Sequence, residues 1–514
     1  MTFQWLPLLV VSAAAAAQQA PAECAALVHI ALPGARISAA EPHAGSFTPP
    51  GAKPMLNLPA FCRVTGTIRP TPDSDIRFEI WLPAEWNGKF QGVGNGGFAG
   101  AISYGGLAGA IRHGYAAAST DTGHQAGGID ARWALGHPEK IADYGWRAIH
   151  EMTVAAKAIV KAHYGKPASK SYFSSCSNGG RQALMEAQRF PEDYDGIIAG
   201  APANYITRLL ALMITMEKAL AAPGAHIPPA KLPAIQMASL AACDTRDGVA
   251  DGVVENPAGC RPDYSTLACS GAENDTCLTR PQLDALRTIT GGLVDRHGKR
   301  LFPPVSFGGE SEQGGWLAWI TGPRLEQSAA FGFGTQFFKN MVYSDPDWDY
   351  RKFDLDRDMA AAKKKMGPVL DAVDPDLSRF ERRGGKLILY HGWCDAAIPA
   401  ENTINYYRSV EKKMGSKKTL GFVRLFLAPG VQHCGGGAGP SSFGQGGPSG
   451  REPENDLNAA LEQWVEHGSA PERVIAAKVE QGVTVRTRPL CAYPAVAAWK
   501  GAGSTDDAAN FECK

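Results

Sequence analysis

The chain has 514 residues, long enough for a large buried core, and length alone suggests about three domains. Lysine plus arginine and aspartate plus glutamate each number 51, so the formal net charge is zero. This balance argues against a nucleic-acid-binding protein, whose ligand requires clustered positive charge.

The N-terminus has the pattern of an export signal. A short apolar stretch covers residues 5–11, and an alanine run then extends toward residue 20. A small-residue cleavage site after such a stretch is typical of a secretory signal, although no basic residue precedes it here. We therefore expect residues 1–20 to be a signal peptide and the mature protein to be secreted or periplasmic. The alternatives are an uncleaved anchor or a disordered leader. No later apolar run is long enough to span a bilayer.

Strands and helices alternate in the first part of the chain. Residues 76–82 alternate in polarity like a strand, and the turn signal Asn87-Gly88 before "GKFQGVG" suggests a hairpin. The further predicted elements are strands at 115–120, 169–175 and 194–202 and helices at 142–164 and 181–190. Such alternation predicts an α/β fold with a mostly parallel sheet.

The alternation stops after residue 204 and resumes at residue 381. The intervening residues 205–380 contain four cysteines, many prolines and several aromatic residues. Strands are again predicted at 384–393 and 423–430, followed by a helix at 454–467. We interpret residues 21–204 and 381–514 as two parts of one α/β core, with 205–380 as an inserted lid domain.

The stretch "SSCSNGG" places Ser177 between a predicted strand and a predicted helix. This is the layout of a nucleophile elbow, usually G-x-S-x-G, in which small residues allow a sharp strand-to-helix turn. Ser175 replaces the first glycine, whereas Gly179 and Gly180 are present. The alternative is an ordinary turn with a helix-capping serine.

An acid and a histidine follow in the order expected for an α/β hydrolase. Asp395 comes just after the strand at 384–393, and His433 just after the strand at 423–430. We expect His433 to accept the Ser177 proton and Asp395 to orient the imidazole. Alternatively, Asp395 is a helix cap and His433 a loop residue. Cys176 and Cys434 flank the proposed nucleophile and base, so a disulfide between them would fix the approach of Ser177 to His433.

The paired cysteines, the "CSNGGRQ" stretch and "HGxxD" together resemble the tannase and fungal-type feruloyl esterase family over nearly the whole mature chain. The resemblance implies an α/β-hydrolase core with a large lid and hydrolysis of esters of aromatic acids. It also implies substrate contacts at His391, Ala397 and Ile398. The family includes bacterial mono(2-hydroxyethyl) terephthalate hydrolase. Ile398 is aliphatic where that enzyme has an aromatic residue, so we do not expect that specificity.

The chain has 11 cysteines, which in an exported protein indicate disulfides with one thiol left over. A set of reduced, buried cysteines in a cytosolic enzyme is the alternative. Spacing alone cannot choose the connectivity. The resemblance implies the remaining pairs, which are Cys24–Cys62, Cys243–Cys260, Cys269–Cys277 and Cys491–Cys513. Cys394 would then be unpaired, most simply as a small buried hydrophobic residue.

The glycine-rich loop "GVGNGGFAG" at residues 92–100 follows an early strand. An oxyanion hole needs two N–H donors, one from the residue after the nucleophile and one from such a loop. We expect the backbone N–H groups of Asn178 and Gly97 to serve, with Gly96 as the alternative to Gly97. The loop also matches G-x-G-x-x-G, but a lone match is weak support for a dinucleotide site.

The stretch "CDTRDGVADGVVENPAGC" carries three aspartates in a short loop at residues 243–260. Calcium prefers carboxylate and carbonyl oxygens from a tightly turning loop, and an EF-hand is excluded because the twelfth-position glutamate is missing. The resemblance implies a structural calcium ion with a specific set of ligands. These are the carboxylates of Asp244, Asp247 and Asp251 and the carbonyls of Val249 and Val253. A solvated acidic turn is the alternative.

The expected function is a secreted serine esterase that cleaves feruloyl, galloyl or related phenolic esters. Aromatic residues in "GGWLAWITGP" (314–323) and "FGFGTQFF" (331–338) could line an acyl pocket, or could simply form the lid core. A serine peptidase on the same fold and a non-catalytic, calcium-stabilised binding protein are the alternatives. Parallel assays of aryl esters and peptides distinguish the first alternative from an esterase.

Overall fold

The structure, a computed structural model, describes residues 23–445 and 450–514, so the expected signal peptide lies outside the described residues. The strands are β1 (Ala35–Phe47), β2 (Met55–Ile68), β3 (Ile76–Pro83), β4 (Lys89–Gly92), β5 (Ala116–Thr120), β6 (Lys170–Cys176), β7 (Gly196–Gly200), β8 (Leu293–Val294), β9 (Arg300–Phe302), β10 (Lys386–Gly392), β11 (Val423–Ala428), β12 (Arg473–Glu480), β13 (Val483–Cys491), β14 (Ala497–Trp499) and β15 (Phe511–Cys513). The helices are α1 (Tyr104–Arg112), α2 (Pro138–Ala142), α3 (Ala148–Tyr164), α4 (Asn178–Arg189), α5 (Ile206–Leu220), α6 (Leu232–Cys243), α7 (Arg280–Gly291), α8 (Ala329–Gln336), α9 (Leu355–Lys365), α10 (Gly367–Leu370), α11 (Ser378–Arg382), α12 (Ala400–Met414), α13 (Ser416–Leu420) and α14 (Leu457–His467).

The described residues form a central nine-stranded sheet in the order β1-β2-β3-β5-β4-β6-β7-β10-β11. From β5 to β11 neighbouring strands are parallel, whereas β1, β2, β3 and β5 pair antiparallel. The predicted α/β fold is therefore confirmed. The predicted hairpin is wrong: β4 pairs with β5 and β6, because the chain after β3 crosses over instead of turning back.

Helices cover both faces of this sheet, and side-chain alternation along the strands explains why. In β10, Leu387 and Leu389 contact the core under α3, α4 and α12, while Ile388 and Tyr390 contact the core under α1 and α14. Because successive strand residues point to opposite faces, a strand buried on both sides reads as a continuous apolar run. Because the strands from β5 to β11 in the sheet are parallel, their carboxyl ends lie at one edge, where the loops with Ser177, Asp395 and His433 begin.

The segment between β7 and β10 contains α5–α11 and the short β8–β9 pair, and its described residues add no strand to the central sheet. Its apolar core is continuous with residues of the α/β core, including Phe98, Tyr144 and Ile398. This is the segment in which the lid is expected, although the exact limits of 205–380 stay a prediction. None of the helices in the described part of the chain is long and apolar enough to cross a membrane.

Candidate active site

Ser177 lies at the turn from β6 into α4 with φ 68° and ψ −127°, a conformation that costs energy for a residue with a Cβ atom. The turn also leaves no space for side chains at Gly179 and Gly180. A Cβ atom at Gly179 would lie 1.9 Å from Ser175 Oγ, and one at Gly180 would lie 2.3 Å from the carbonyl oxygen of Gly200. The two glycines therefore allow α4 to start directly behind Ser177, which exposes the serine hydroxyl at the end of the strand.

Three side chains from separate strand ends form a hydrogen-bonded series. His433 Nε2 lies 2.8 Å from Ser177 Oγ, and His433 Nδ1 lies 2.8 Å from Asp395 Oδ2. Asp395 Oδ1 accepts the backbone N–H groups of Ala397 and Ile398 at 2.8 and 2.9 Å. With Asp395 accepting at Nδ1, the other ring nitrogen is free to accept the serine proton.

Asp395 is fully buried, yet the site favours its charged form. Burial alone would raise the pKa of Asp395, but the charge of His433 and hydrogen bonds from His391 and His433 hold it well below its ordinary value. The carboxylate therefore stays ionised and keeps the imidazole of His433 oriented.

His391 is buried and is not among the residues that line the pocket over Ser177, so its expected substrate contact stays a prediction. The residue is 0% exposed, and its Nε2 lies 3.1 Å from Asp395 Oδ2 and 2.9 Å from the carbonyl oxygen of Ile398. Its Nδ1 lies 2.7 Å from Thr403 Oγ1. Because Nε2 faces two acceptors, it carries the proton, and Nδ1 accepts from the threonine. His391 thus supports Asp395 from behind.

The expected oxyanion donors Asn178 and Gly97 line the same pocket as Ser177. Asn178 begins α4, so its N–H group belongs to the unpaired first turn of that helix. Gly97 has φ +57°, and a Cβ atom there would lie 2.3 Å from the carbonyl oxygen of Gly128, so this position requires glycine. The alternative donor, Gly96, is exposed.

The pocket over Ser177 has a cavity volume of about 60 Å³ and a largely apolar wall. The wall consists of Gly97, Phe98, Tyr144, Ser177, Asn178, Ala203, Ile206, Leu209, Leu210, Met213, Trp319, Phe333, Ala397, Ile398 and His433. Two of the expected substrate contacts, Ala397 and Ile398, are therefore placed here. The pocket suits a flat apolar group and offers few polar partners.

Sequence reasoning missed Tyr144 and the wall contributed by α5. Trp319 and Phe333 lie in the aromatic segments singled out above, and their rings stack at 6.1 Å. The Trp319 ring also meets the His433 ring edge-on at 5.0 Å. Aromatic composition indicated these segments, but no pattern in the sequence distinguishes a pocket aromatic from a lid-core aromatic.

All the expected cysteine pairs are present as disulfides: Cys24–Cys62, Cys176–Cys434, Cys243–Cys260, Cys269–Cys277 and Cys491–Cys513. The free cysteine among the described residues is Cys394, which is buried. Burial raises the pKa of the Cys394 thiol, so it behaves as an inert hydrophobic residue.

The acidic loop lies between Cys243 and Cys260 and contacts the C-terminal part of the chain. Asp244 accepts the N–H groups of Asp251 and Gly252 at 3.4 and 3.1 Å, which brings two of the expected ligands side by side. Asp251 Oδ2 also accepts a hydrogen bond from Arg488 at 2.7 Å. The other expected ligands are Asp247, whose carboxylate accepts the N–H of Val249, and the carbonyls of Val249 and Val253.

A separate cluster of metal-ligand residue types lies behind α4, within the described part of the chain. Ligand-type atoms of His150, Glu186 and Asp193 lie within 4.8 Å of one another. Burial, followed by the charge of Asp193, raises the pKa of Glu186 well above its ordinary value. Asp193 is already engaged by His150, whose Nδ1 lies 2.7 Å from Asp193 Oδ2.

The chain matches known proteins over nearly its whole length. A family model described as "Tannase and feruloyl esterase" matches residues 62–514. An uncharacterized esterase of Xanthomonas campestris pv. campestris is 43% identical, with 96% of this chain and 91% of that protein covered. A probable feruloyl esterase B-2 of Aspergillus terreus is 33% identical, covering 88% and 86%. Feruloyl esterase B from Aspergillus oryzae has a crystal structure that matches with a TM-score of 0.90 at 29% identity, covering 96% and 99%. The chain therefore belongs to the tannase and feruloyl esterase family of carboxylic ester hydrolases.

Proposed function

We propose that this protein hydrolyses esters of phenolic acids, such as feruloyl or galloyl esters, through an acyl-enzyme on Ser177. The observation that carries the proposal is the hydrogen-bonded series from Ser177 through His433 to Asp395, at 2.8 Å for each step, beneath an apolar pocket. The family assignment supports the same class of substrate.

In the first half-reaction, Ser177 Oγ attacks the ester carbonyl carbon while His433 Nε2 takes the hydroxyl proton. The negative oxygen that forms accepts hydrogen bonds from the N–H groups of Asn178 and Gly97. Collapse of this intermediate breaks the bond to the alcohol, which leaves with the proton from His433. Water then repeats these steps on the acyl-enzyme, with His433 as base and then as acid, and the free acid leaves.

The wall of the pocket supports an aromatic acyl group. Trp319, Phe333 and Ile398 offer apolar faces, and the hydroxyl of Tyr144 already bonds to Asn178. Each further hydroxyl on the ring would need a partner in this wall or lose its hydrogen bond to water. We therefore expect faster turnover of a feruloyl ester than of a galloyl ester.

Replacement of Ser177 tests the proposed chemistry. Ser177→Ala should lower turnover of methyl ferulate by about 10⁴-fold or more, because attack on the ester then depends on water alone. Ser174→Ala is a matched control, since this serine lies on the same strand but bonds to Asn458 and Gln445. Near-normal turnover by Ser177→Ala would contradict the proposal. A panel of ferulate, caffeate, gallate and terephthalate esters then defines the acid.

We also propose that the acidic loop holds a structural calcium ion. Asp244, Asp247 and Asp251 supply carboxylates within one loop closed by Cys243–Cys260, and Val249 and Val253 supply carbonyls, a donor set of the kind that calcium prefers. The ion would stabilise the lid and take no part in the ester chemistry.

Chelation tests the calcium proposal. An ion bound only by the folded protein raises its stability by mass action, so EDTA should lower the melting temperature and added calcium should restore it. Asp247→Ala should melt at the lower temperature with or without EDTA. Asp275 is an exposed aspartate between β7 and β10 but outside the acidic loop, so Asp275→Ala should keep the response to the chelator. A melting temperature unaffected by EDTA and by Asp247→Ala would exclude this site.

Secretion is part of the same proposal. The disulfides among the described residues favour an oxidising compartment, and residues 1–20 have the pattern of an export signal. Mass spectrometry of the mature N-terminus from culture medium or periplasm would give the cleavage position.

A further inference from the structure

The hydroxyl of Tyr144 joins the two chain segments that carry the proposed oxyanion donors. It lies 2.9 Å from Asn178 Oδ1 and 3.2 Å from the carbonyl oxygen of Gly97. Both atoms are acceptors, so the hydroxyl donates its proton toward them. Tyr144 is 1% exposed, and burial raises its pKa, which keeps this donor protonated. One side chain therefore links the loop after β4 to the start of α4.

Arg181 fixes the same amide from the other side. Its Nε donates to Asn178 Oδ1 at 2.8 Å, and its Nη2 donates to the carbonyl oxygen of Tyr144 at 3.0 Å. Its guanidinium carbon lies 4.8 Å from the centre of the Tyr144 ring. Arg181 is 0% exposed, and the two acceptors of these hydrogen bonds are uncharged oxygens. The buried cation thus directs these hydrogen bonds to neutral groups beside the site.

The backbone around Tyr144 is shaped for this contact. Residues Asp143–Arg147 form a π-helical turn between α2 and α3. Such turns leave backbone carbonyls outside the regular helical pattern and occur frequently at functional sites. Here the carbonyl oxygens of Tyr144 and Gly145 both accept hydrogen bonds from Arg181, the second at 2.6 Å.

We propose that Tyr144 and Arg181 are positioning residues of the oxyanion hole, which hold Asn178 and Gly97 so that their N–H groups converge on one oxygen atom. This inference rests on the proposed function, because it assigns a role within the same reaction. It goes beyond that function by explaining how donors on two separate segments keep a fixed distance. Donors that are already in place cost no reorganisation when charge develops, and a small displacement weakens both.

Tyr144→Phe tests the proposal because it removes the hydroxyl and keeps the ring. With methyl ferulate as substrate, we expect kcat to fall by about 10- to 100-fold while KM changes by less than about threefold. Binding of benzeneboronic acid, which forms a tetrahedral adduct with an activated serine, should weaken in parallel. Binding of ferulic acid, a ground-state ligand, should change little. Tyr194→Phe is the matched control, since Tyr194 is equally buried and its hydroxyl bonds to Thr153, away from the pocket.

A double-mutant cycle tests the route of the effect. Asn178→Ala keeps the backbone N–H but removes the amide that both Tyr144 and Arg181 hold, so it should reproduce much of the kcat loss. The variant that combines Tyr144→Phe with Asn178→Ala should lose less than the product of the two separate losses, as expected for coupled residues. If Tyr144→Phe does not fold, the turnover of Asn178→Ala and its binding of benzeneboronic acid carry the test alone.

The outcomes separate this proposal from the proposed function. A Tyr144→Phe variant with kcat within twofold of the wild type, or with kcat and ferulic acid affinity lost together, would overturn the positioning role. So would a kcat loss as large in Tyr194→Phe. Turnover that persists in Ser177→Ala would overturn the proposed function instead, whatever the tyrosine variants show.

Discussion

Asp395 and Glu217 are both buried carboxyl groups, and their surroundings shift their pKa values in opposite directions. Asp395 accepts hydrogen bonds at both oxygens, from Ala397, Ile398, His391 and His433, and its pKa is held low. These donors replace the water that burial removes, so the negative charge stays next to the imidazole. In the proposed mechanism, a charge that stays in place lets His433 gain and lose a proton without rearrangement of Asp395.

Glu217 in α5 has the opposite behaviour and gives a prediction on pH. Burial raises its pKa to about 7, although the hydroxyl of Ser328 donates to it. Between about pH 4.5 and pH 7 the folded protein holds a proton that the unfolded chain has lost. Stability from this group is therefore fully present below pH 4.5 and declines as the pH rises through 7. Glu217→Gln should remove this decline. Between pH 5 and pH 8 the wild type should lose roughly 1–3 kcal/mol of unfolding free energy that the variant does not lose.

Unfolding of the two proteins at pH 5 and pH 8 checks this prediction. The difference in free energy of unfolding between Glu217→Gln and the wild type should grow with pH, and equal differences at both values would contradict it. Glu192→Gln, on an exposed side chain, controls for the loss of a carboxylate from the surface.

At the scale of elements, the sequence predicted what depends on local pattern. The apolar runs that became β6, β7, β10 and β11 and the turn at Ser177 were predictable, because a strand buried on both faces and a tight glycine-rich turn each leave a local signature. The position of β4 was not predictable. Its pairing with β5 and β6 depends on a crossover between distant segments, which a turn signal at Asn87 cannot reveal.

The same limit applies to the candidate site. Ser177, His433 and Asp395 could be chosen because each follows a predicted strand. His391 shares the strand that precedes Asp395, yet its burial behind that residue depends on contacts with Thr403 in α12. Tyr144 carried no signal, because its role arises from a π-helical turn and from partners 34 and 47 positions away. Contacts between distant segments were therefore accessible only through family resemblance or structure.

The whole molecule is needed to build the pocket, since its wall comes from both parts of the core and from the segment between β7 and β10. Trp319 meets His433, and Gln432 Nε2 donates to the carbonyl oxygen of Gly309 at 2.7 Å. These contacts hold the segment between β7 and β10 directly against the loop that carries His433. The serine and the histidine are nevertheless 256 positions apart, so their distance depends on what joins the two parts of the core.

The Cys176–Cys434 disulfide makes that connection, with a sequence separation of 258 and a Cα–Cα distance of 5.9 Å. Replacing both cysteines with alanine frees the loops beside Ser177 and His433, so we expect turnover of methyl ferulate to fall by about 10²-fold. Stability should also fall, by about 2–5 kcal/mol, so turnover must be measured well below the melting temperature. The matched control replaces Cys24 and Cys62, whose disulfide ties the start of the described chain to β2 and should affect melting but leave turnover near normal. If the Cys176/Cys434 variant keeps wild-type turnover while folded, or if both residues are free thiols in the active protein, the disulfide does not position Ser177 and His433 for the proposed reaction.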